Sequence, residues 1–433
     1  MTALSKSTVV RLKNGRTCKV KKELGRGGQG IVYLVDYGGK DHALKWYTEP
    51  SIISSQAFYR NLEKNAGITP PAANFLWPLA ITEIQEKSYG YIMPLSPKGY
   101  VEMSDFMLCK AQFKSLKALL NACLQICKAF QSLHIIGLSY HDMNDGNFLI
   151  NPATGDVVIC DNDNVAPAGT NTGILGKVGY MAPEIVEGRS MPNRHTDYFS
   201  LAVCLFILIY MNRPFEGAWY LSCPCDTNPA MAKKLNGFTS VFIMDPKDSK
   251  NRPVKGIHNN VIKRWPLFPA ILAKAFCDTF SREAITDPSK RLMDKQWYDI
   301  LLQTRSMLAE CPHCGNETFI DIHRPGPGCA CCRKPFGTLK VLKVGKTGKF
   351  YVPLIKGQVI LDCLVSDNPD FTQVAGVVEQ RHGELGIMNR SSTTWMVKVS
   401  EGNFKTIEKG HGLPALSGLK IRFGNHGEVA GIL

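Results

Sequence analysis

Two stretches of the sequence decide the fold: SYHDMNDGNFLI at residues 139–150 and VVICDNDNV at residues 157–165. In the first, Asp142 and Asn147 stand five positions apart, and an apolar, strand-like run follows them. In the second, Asp161 ends a β-rich run fourteen residues after Asn147. An aspartate can accept a proton, and carboxylate and amide oxygens are ligands for magnesium. A polar turn rich in Asp and Asn would explain either stretch alone, but the two together predict a metal-dependent catalytic site.

A glycine-rich stretch, LGRGGQGIVYLV, lies between two β-rich runs near the start of the chain. Gly25, Gly27 and Gly30 have G-x-G-x-x-G spacing, and Val32 follows two residues later. Because glycine has no side chain, such a loop lets the backbone lie directly over phosphate groups. A Rossmann turn has the same spacing, but it opens a helix, whereas this chain continues into a second strand. A glycine-rich hairpin without a ligand is the remaining alternative.

Lys45 lies near the end of the alternating strand DHALKWY, fifteen residues after Gly30. Its charge could reach nucleotide phosphates there, with Ala43 beside the same site, although an isolated strand lysine is usually only solvated. A lysine in this role needs an acidic partner on the following helix. Glu63, in AFYRNLEKNAG, is the predicted partner. A glutamate on the exposed face of a helix is the common alternative.

Three more motifs follow in order: GYMAPEIV, HTDYFSLAV and DPSKRL. They contain Glu184, Asp197 and Arg291 respectively. The whole series of motifs resembles the eukaryotic-like Ser/Thr protein kinase family over roughly residues 15–308. The resemblance implies that Asp197 anchors the catalytic loop and that Glu184 forms an ion pair with Arg291, so these three are expected to be scaffold residues.

The resemblance also implies an α+β, two-lobed protein-kinase fold that uses ATP and magnesium to phosphorylate Ser or Thr of a protein substrate. Asp142 would be the catalytic base, and Lys45 would contact the phosphates. The implied nucleotide-binding residues are Gly25, Gly27, Gly30, Val32, Ala43, Lys45 and Glu63, and the implied magnesium ligands are Asn147 and Asp161. Two alternatives stay open: a nucleotide-binding pseudokinase scaffold, and a nucleic-acid-binding protein whose kinase lobe is regulatory.

The catalytic stretches depart from the family pattern at several positions. Tyr-His-Asp replaces His-Arg-Asp at residues 140–142, so the arginine that usually senses a phosphate on the activation loop is missing. Asn144 stands where Ser/Thr kinases commonly carry a lysine, and Lys177 where they carry a threonine, which leaves the substrate class open. Asp-Asn-Asp replaces Asp-Phe-Gly at residues 161–163, and Asp163 could add a further carboxylate to the site.

Two Cys-x-x-Cys pairs follow, with fourteen residues between them: Cys311, Cys314, Cys329 and Cys332. Four thiolates at this spacing can surround one tetrahedral zinc ion, so residues 309–336 are predicted to form a zinc ribbon with a structural metal. Cys331 could replace Cys332, whereas His313 could compete only with distorted geometry. Redox chemistry is the alternative, but no thioredoxin-like pattern surrounds the pairs.

Changes in composition divide the chain near residues 309 and 337. Residues 1–308 are predicted to form the kinase domain, with an N-lobe at 1–95 and a C-lobe at 96–308. Helices are expected at 54–65, from 104 to 138, and again from 182 to about 308. Residues 337–433 show short Val- and Ile-rich strands between glycine turns, which predicts a small all-β domain, either a β-sandwich or an OB-like barrel. This module would recruit the substrate or regulate the kinase.

Composition and charge narrow the partners and the compartment. The 433 residues carry a formal net charge of +14, which is compatible with attraction to nucleic acid, to anionic lipid or to acidic and phosphorylated partners, and equally with a solubility surface that has no dedicated partner. A basic stretch that could suit nucleic acid contains Lys340, Lys343, Lys346 and Lys349 beside Phe350 and Tyr351. A basic exposed strand is the favoured interpretation of this stretch.

The start of the sequence has no apolar leader, and its longest apolar run, residues 201–211, is shorter than the ~20 residues that cross a bilayer. No membrane span is therefore expected, and a cytoplasmic location is predicted. The fifteen cysteines then fit a reducing compartment. The expected partner is a protein substrate. A resemblance to bacterial kinases associated with tellurite resistance adds a cognate phosphatase.

Overall fold

The computed structural model describes residues 3–223, 228–324, 326–345, 350–368, 370–400, 403–425 and 427–433. Lys346 and Lys349 of the basic stretch lie outside these described residues. The chain forms two compact units, each assembled from segments that are separate in sequence. The first unit comprises Met1–Lys114, Asn121–Val261 and Phe276–Lys295, and the second comprises Ser115–Leu120, Ile262–Ala275 and Gln296–Leu433. The predicted domain boundaries near residues 309 and 337 stay predictions.

The first unit begins with a six-stranded antiparallel sheet and two helices. The strands are β1 (Val9–Arg11), β2 (Thr17–Arg26), β3 (Gly30–Tyr37), β4 (Lys40–Tyr47), β5 (Ala80–Ile81) and β6 (Gly90–Met93), and the helices are α1 (Pro50–Ser54) and α2 (Gln56–Ala66). The strand order in the sheet is β1-β2-β3-β4-β6-β5. Ser55 caps α2 by accepting the backbone N–H of Phe58, and Gly67 follows its last residue. The helix predicted at 54–65 is therefore confirmed as α2.

The sheet has an apolar cluster on each face, because side chains alternate along its strands. Leu44 and Trp46 of β4 belong to one cluster. Ala43 and Tyr47 belong to the other, where residues of α2 also pack. Lys45 is two residues from both Ala43 and Tyr47, so it lies on the face of the sheet that α2 covers.

Ten α-helices lie among the described residues between 96 and 306. The helices are α3 (Met103–Met107), α4 (Leu116–Ile135), α5 (Pro183–Val186), α6 (Arg194–Tyr210), α7 (Ala218–Leu221), α8 (Pro229–Asn236), α9 (Asn259–Arg264), α10 (Ala270–Thr279), α11 (Arg282–Thr286) and α12 (Asp294–Ser306). Short strands hold the stretches at residues 139–150 and 157–165: β7 (Val101–Glu102), β8 (Leu138–Tyr140), β9 (Phe148–Ile150), β10 (Val157–Ile159) and β11 (Val165–Pro167). The strand β9 pairs with β7 and β10, and β8 pairs with β11, all antiparallel.

The helical region predicted from 104 to 138 is divided in the structure. The first helix, α3, ends at Met107, and α4 begins at Leu116. Cys109 has a φ of +55°, a left-handed conformation that does not continue a right-handed helix. The Ser115 side chain accepts a backbone N–H at the start of α4, at 3.0 Å. Local backbone conformation and capping therefore interrupt a continuous apolar pattern.

The helix α6 is buried along nearly its whole length. It contains most of the apolar run at residues 201–211, which is therefore confirmed as a buried helix. Asn193 and Thr196 form a reciprocal capping box at its start, and Met211 follows its end with a φ of +51°. Across the parts of the chain that the structure describes, no helix is long and apolar enough to cross a membrane.

The second unit contains a cysteine-bearing hairpin and two antiparallel sheets. The hairpin consists of β12 (Leu308–Glu310) and β13 (Glu317–Phe319). The remaining elements are β14 (Lys340–Val344), β15 (Phe350–Leu354), β16 (Val359–Leu361), α13 (Asp362–Val365), β17 (Val374–Arg381), β18 (Glu384–Asn389), β19 (Trp395–Ser400), β20 (Asn403–Ile407), β21 (Gly412–Pro414), β22 (Lys420–Arg422) and β23 (Val429–Ile432). One sheet has the order β15-β14-β23-β22-β19-β20 and the other β16-β17-β18-β21. The two sheets meet where Trp395 of β19 packs over Gly376 of β17, since a Cβ atom at Gly376 would lie 2.8 Å from the tryptophan ring.

Candidate active site

Lys45 is the centre of a buried charge cluster in the first unit. Its Nζ lies 2.7 Å from Oε1 of Gln29, 3.1 Å from Oδ1 of Asp161 and 2.9 Å from Oδ2 of Asp163. Only 4% of the lysine surface is exposed. Burial alone would lower the pKa of Lys45, but the charges of Asp161 and Asp163 outweigh it and raise the pKa above its usual value. Lys45 is therefore a fixed cation at neutral pH.

Asp163 is fully buried and has several donors. Its carboxylate accepts hydrogen bonds from the hydroxyl of Tyr47 at 2.6 Å and from the hydroxyl of Tyr91 at 3.2 Å, in addition to Lys45. Burial raises the pKa of both tyrosines well above the usual value, so both stay protonated as donors. The sequence singled out Asp163 as a further carboxylate of the site, and the structure places it there.

Asp161 stands between the strand β10 and a short helical turn. Its φ of +49° is left-handed, a conformation that Asp adopts more readily than most residues. About a third of its side chain is exposed, in contrast to Asp163. The backbone N–H of Cys160 donates to the carbonyl of Asn147 at 2.9 Å, which joins the two catalytic stretches. A carboxylate and a side-chain amide at this junction are oxygen donors of the kind that fit magnesium.

Asp142 is held by two asparagines of its own loop. The amide of Asn144 donates to Oδ1 of Asp142 at 3.0 Å, and the amide of Asn147 donates to the Asp142 carbonyl at 2.7 Å. Burial raises the pKa of Asp142 to about 6, against the opposing effect of the Asn144 hydrogen bond. The carboxylate is therefore oriented, mostly ionised at neutral pH, and more basic than an ordinary aspartate.

Asp197 anchors the chain at the start of the loop that carries Asp142, as the resemblance to kinases implied. Oδ2 of Asp197 accepts the backbone N–H of Tyr140 at 2.7 Å and lies 2.9 Å from Nε2 of His134. Nδ1 of His134 lies 2.6 Å from Asp294. Burial alone would lower the pKa of His134, but the two aspartates raise it to about 9. The sequence analysis missed His134 and Asp294, which are 160 residues apart and carry no local signal.

The predicted ion pair between Glu184 and Arg291 is confirmed. The guanidinium binds both carboxylate oxygens, at 2.7 and 2.8 Å, and both side chains are buried. The same guanidinium also donates to the backbone carbonyls of His195 and Ala284. This geometry fits a scaffold role, since the pair joins three segments and leaves no donor directed at Lys45 or Asp142.

The glycine-rich stretch contains two kinds of glycine. A Cβ atom at Gly30 would lie 2.2 Å from the carbonyl oxygen of Trp46, so the close approach of β3 to β4 requires glycine there. Gly25 and Gly27 have open space beside them. Val32 and Ala43, on neighbouring strands, pack in the same cluster next to Lys45. Protein packing thus explains Gly30 but not Gly25 or Gly27.

The prediction that Glu63 pairs with Lys45 is wrong. The carboxylate of Glu63 lies 2.6 Å from Nζ of Lys13, and about half of each side chain is exposed. The buried face of α2 consists of Phe58, Asn61, Leu62 and Asn65, and Glu63 is on another face of the helix. The carboxylates beside Lys45 come from Asp161 and Asp163 instead.

Lys177, whose identity departs from the family pattern, contacts the catalytic loop. Its Nζ lies 3.2 Å from Asp145, a carboxylate that also lies 3.7 Å from the guanidinium of Arg213. The sequence analysis did not identify Asp145 or Arg213. A cleft of about 920 Å³ is lined by Lys177, Gly179, Arg213 and other residues that surround the Ala-Pro-Glu motif. The loop that carries Asp142 is therefore joined directly to the wall of this cleft.

His141, which replaces the usual arginine, is buried. Its Nδ1 lies 3.2 Å from the hydroxyl of Thr172, and burial lowers its pKa to about 4. The imidazole is therefore neutral at physiological pH. A neutral ring cannot supply the cation with which an arginine binds a phosphate.

The cysteine pairs come together in the second unit. The sulfur atoms of the four predicted ligands all lie within 4.8 Å of one another: Cys311, Cys314, Cys329 and Cys332. Backbone N–H groups of residues 331 and 332 point at the sulfur of Cys329, at 3.3 and 3.4 Å. Cys331 is exposed and accepts instead from the Asn316 amide at 3.3 Å. This set of thiols could hold a metal ion, with Cys332 and not Cys331 as its fourth member.

Comparison with known proteins agrees with this geometry. Residues 18–232 match the family model described as protein kinase domain. Ser/Thr-protein kinase PknA of Mycobacterium tuberculosis is 36% identical over 109 residues, which are 24% of this chain and 25% of PknA. Ser/Thr-protein kinase ppk6 of Schizosaccharomyces pombe is 24% identical over 210 residues, 45% of this chain and 26% of ppk6. Ser/Thr-protein kinase SBK2 of Rattus norvegicus is 24% identical over 290 residues, 61% of this chain and 79% of SBK2.

The chain thus spans about a quarter of the length of PknA and of ppk6. Among solved structures, the crystal structure of the Mycobacterium tuberculosis PknI kinase domain matches with 17% identity and a TM-score of 0.45, covering 69% of this chain and 98% of that one. The family match is the finding that classifies this part of the chain. Residues 18–232 belong to the protein kinase domain family, and the relatives to which the chain is similar are Ser/Thr-protein kinases of bacteria and eukaryotes.

Proposed function

We propose that this chain transfers the γ-phosphoryl group of ATP to a Ser or Thr hydroxyl of a protein substrate. The observation that carries the proposal is the position of Lys45 Nζ, within 3.1 Å of Asp161 and Asp163 and in the same unit as the loop of Asp142 and Asn147. A fixed cation, oxygen donors for a metal and an oriented base are the groups that phosphoryl transfer requires.

In the proposed complex, the nucleotide lies between the glycine-rich stretch and Lys45. Gly25 and Gly27 leave open space that phosphates can occupy, and their backbone is free of side chains. Val32 and Ala43 offer an apolar surface for the adenine base. Lys45 would place its charge against the phosphates, because its position is fixed by the carboxylates behind it.

The acceptor hydroxyl would be oriented by Asp142. The Asn144 amide fixes one carboxylate oxygen, so the other is available for the hydroxyl proton. Asn147 and Asp161 would hold magnesium, which supplies charge neutralisation on the phosphates when it is bound. The work of this chain's own residues is therefore positioning: Lys45 orients the phosphates and Asp142 orients the hydroxyl.

The protein substrate would lie in the cleft beside Lys177 and Arg213. This cleft adjoins the catalytic loop through the contacts of Asp145 with both cations. Because His141 is neutral and buried, we infer that phosphate on the activation loop is not needed to organise the site. A protein substrate is the one partner class that the proposal requires.

The test is turnover of γ-labelled ATP with magnesium, with autophosphorylation and a generic protein acceptor as readouts. Asp142→Asn keeps the shape of the side chain and removes its basicity, so we expect label transfer to fall by about 10²- to 10⁴-fold. Glu83→Gln, which alters an exposed pair with Arg11, is the matched control and should match the wild type. ATP binding without transfer in the wild type, across several acceptors, would favour the pseudokinase scaffold.

We further infer that the four clustered cysteines bind zinc and that the metal is structural. Four thiols that converge within 4.8 Å suit a closed tetrahedral site, and the N–H groups directed at Cys329 favour the thiolate. Metal analysis should find one zinc per chain. A strong chelator should lower the thermal stability of the wild type, and Cys331→Ser should keep the metal while Cys332→Ser loses it. Equal metal content in the two variants would contradict the assignment.

The two sheets of the second unit also bear on the choice between a sandwich and a barrel. An OB-like barrel is a single, partly closed sheet, whereas two sheets that pack through Trp395 and Gly376 are expected of a sandwich. We therefore infer a β-sandwich for residues 337–433. Its role in recruitment or regulation remains part of the proposal.

A further inference from the structure

We propose that Asp163 is the positioning residue for Lys45, taking the part that a helix glutamate was predicted to play. The inference rests on the proposed function, because it assumes that Lys45 contacts the phosphates of ATP. Both carboxylate oxygens of Asp163 lie near Nζ of Lys45, at 2.9 and 3.3 Å. Asp163 is fully buried and Lys45 nearly so, which makes this the less exposed of the two ion pairs of Lys45.

The carboxylate of Asp163 is fixed by the sheet. Tyr47 lies two residues after Lys45 on β4, and Tyr91 is the opposite neighbour of Lys45 on β6 in the antiparallel register. Both tyrosine hydroxyls donate to Asp163, one to each oxygen. The lysine and the two groups that hold its partner therefore belong to adjacent strands, and the position of Asp163 relative to Lys45 follows from the register of β4 and β6.

The helix α2 has a different part in the site. Its one carboxylate, Glu63, pairs with Lys13 at the surface. Its buried polar residues are amides: Asn61 and Asn65 both donate to the backbone carbonyl of Val165, at 2.7 Å each. The helix thus fastens the chain two residues beyond Asp163, and it contributes no charge to Lys45 among the described contacts.

The position of Asp163 along the chain also decides which segment must be in place for Lys45 to have its partner. A lysine whose partner is on a separate helix loses that partner when the helix moves outward. Here the partner is within the Asp-Asn-Asp stretch itself, beside the carboxylate of Asp161. Lys45 is therefore positioned by the same turn that carries Asp161, and no carboxylate of α2 has to swing inward.

The test compares Asp163→Asn with Glu63→Gln, which remove the same charge from the two candidate partners. With Asp163→Asn we expect kcat/KM for ATP to fall by about 10- to 100-fold, as when a charge-assisted hydrogen bond is lost. Most of the change should appear in the KM for ATP, since a displaced Lys45 binds the phosphates less well. Glu63→Gln should stay within about twofold of the wild type. Equal losses in the two variants, or no loss with Asp163→Asn, would overturn the proposal.

A second readout separates this proposal from the proposed function. Binding of a non-hydrolysable ATP analogue, measured by calorimetry, needs no turnover. Asp163→Asn should bind the analogue several-fold more weakly than the wild type, whereas Glu63→Gln should bind it equally well. An affinity that is unchanged in Asp163→Asn would refute the positioning role whether or not the wild type is active.

Excess magnesium and a tyrosine variant complete the test. If Asp163 were a direct magnesium ligand, excess magnesium would restore the KM of Asp163→Asn, and that result would overturn the role assigned here.

Tyr91→Phe removes one hydroxyl group that donates to Asp163 and keeps every charge, so it can replace Asp163→Asn as the test variant if Asp163→Asn does not fold. We expect Tyr91→Phe to raise the KM for ATP by a few-fold with kcat changed less, and an unchanged KM would count against the proposal.

Discussion

Two lysine–carboxylate pairs of the first unit have the same chemistry but differ in length and in exposure to solvent. The Lys13–Glu63 pair has the shorter separation, 2.6 Å, but about half of each side chain is exposed. The Lys45–Asp163 pair is longer, 2.9 Å, and is almost entirely buried. Water and salt screen the first pair, whereas the second has no solvent to replace a lost partner. The distance between two charges therefore says less about their importance than the surroundings do.

The largest effect should follow from removing the buried cation. Lys45→Met should lower kcat/KM by about 10²- to 10³-fold, the cost of losing one positioned donor of charge. It should also lower the free energy of unfolding by about 3–5 kcal/mol, because Asp163 and Asp161 lose their common partner. Turnover and urea unfolding measure the two effects, with Lys13→Met as the matched control. A stability equal to that of the wild type would show that the cluster is more hydrated than its burial indicates.

A second buried ion pair, Glu184–Arg291, extends the comparison to a part of the first unit away from Lys45. Glu184→Gln leaves the guanidinium of Arg291 buried without its counter-charge, so the free energy of unfolding should fall by about 3 kcal/mol. Chemical denaturation measures this change. Glu283→Gln breaks an exposed pair with Lys247 and should produce no measurable change. Similar decreases in the free energy of unfolding for Glu184→Gln and Glu283→Gln would contradict the comparison.

Buried His134 should make the free energy of unfolding depend on pH. The pKa of His134 is about 9 in the folded chain and close to 6.5 when unfolded. Since the folded pKa is the higher one, its contribution is complete below pH 6.5 and is lost as the pH rises towards 9. The loss should be up to about 3 kcal/mol by the linkage of pKa to free energy. Unfolding midpoints between pH 6 and 10 should show this slope, and His134→Gln should remove it.

The smallest effect is expected at the surface pair. Glu63→Gln should change the free energy of unfolding by less than about 0.5 kcal/mol, because the pair with Lys13 is half-exposed and screened. The small difference should shrink further in 0.5 M salt, as measured by thermal unfolding. A change as large as that of Lys45→Met would mean that the face of α2 bearing Glu63 is buried in solution.

Motif order and spacing were enough to predict which stretches of the chain meet. Asp142 and Asn147 precede β9 and Asp161 follows β10, and the pairing of these strands brings the two stretches together, while the catalytic and metal-binding roles stay predictions. The Glu184–Arg291 pair was predicted from motif order alone. Glu63 failed because a partner on a helix depends on which face the helix buries, and motif order does not contain that information.

The face of α2 could nevertheless have been deduced. Phe58, Asn61, Leu62 and Asn65 have the spacing of one helical face, and Glu63 falls outside it. The sequence alone would place Asn61 and Asn65 at the surface because both are polar. Their burial depends on the carbonyl of Val165, which accepts from both amides and lies about a hundred residues further along the chain. The same holds for His134, whose partners lie far along the chain. Long-range polar contacts of this kind are what the sequence could not supply.

The two asparagines of α2 should also influence which small molecules bind at the proposed nucleotide site. Compounds that require the Asp-Asn-Asp turn to flip outward must first break the amide contacts to Val165 and expose the carboxylate of Asp163. Each step leaves buried polar groups without partners, which opposes binding. Inhibitors that bind while the Asp-Asn-Asp turn stays in place should therefore be favoured over inhibitors that need the turn to flip outward. An inhibitor screen should find few or no compounds of the second type.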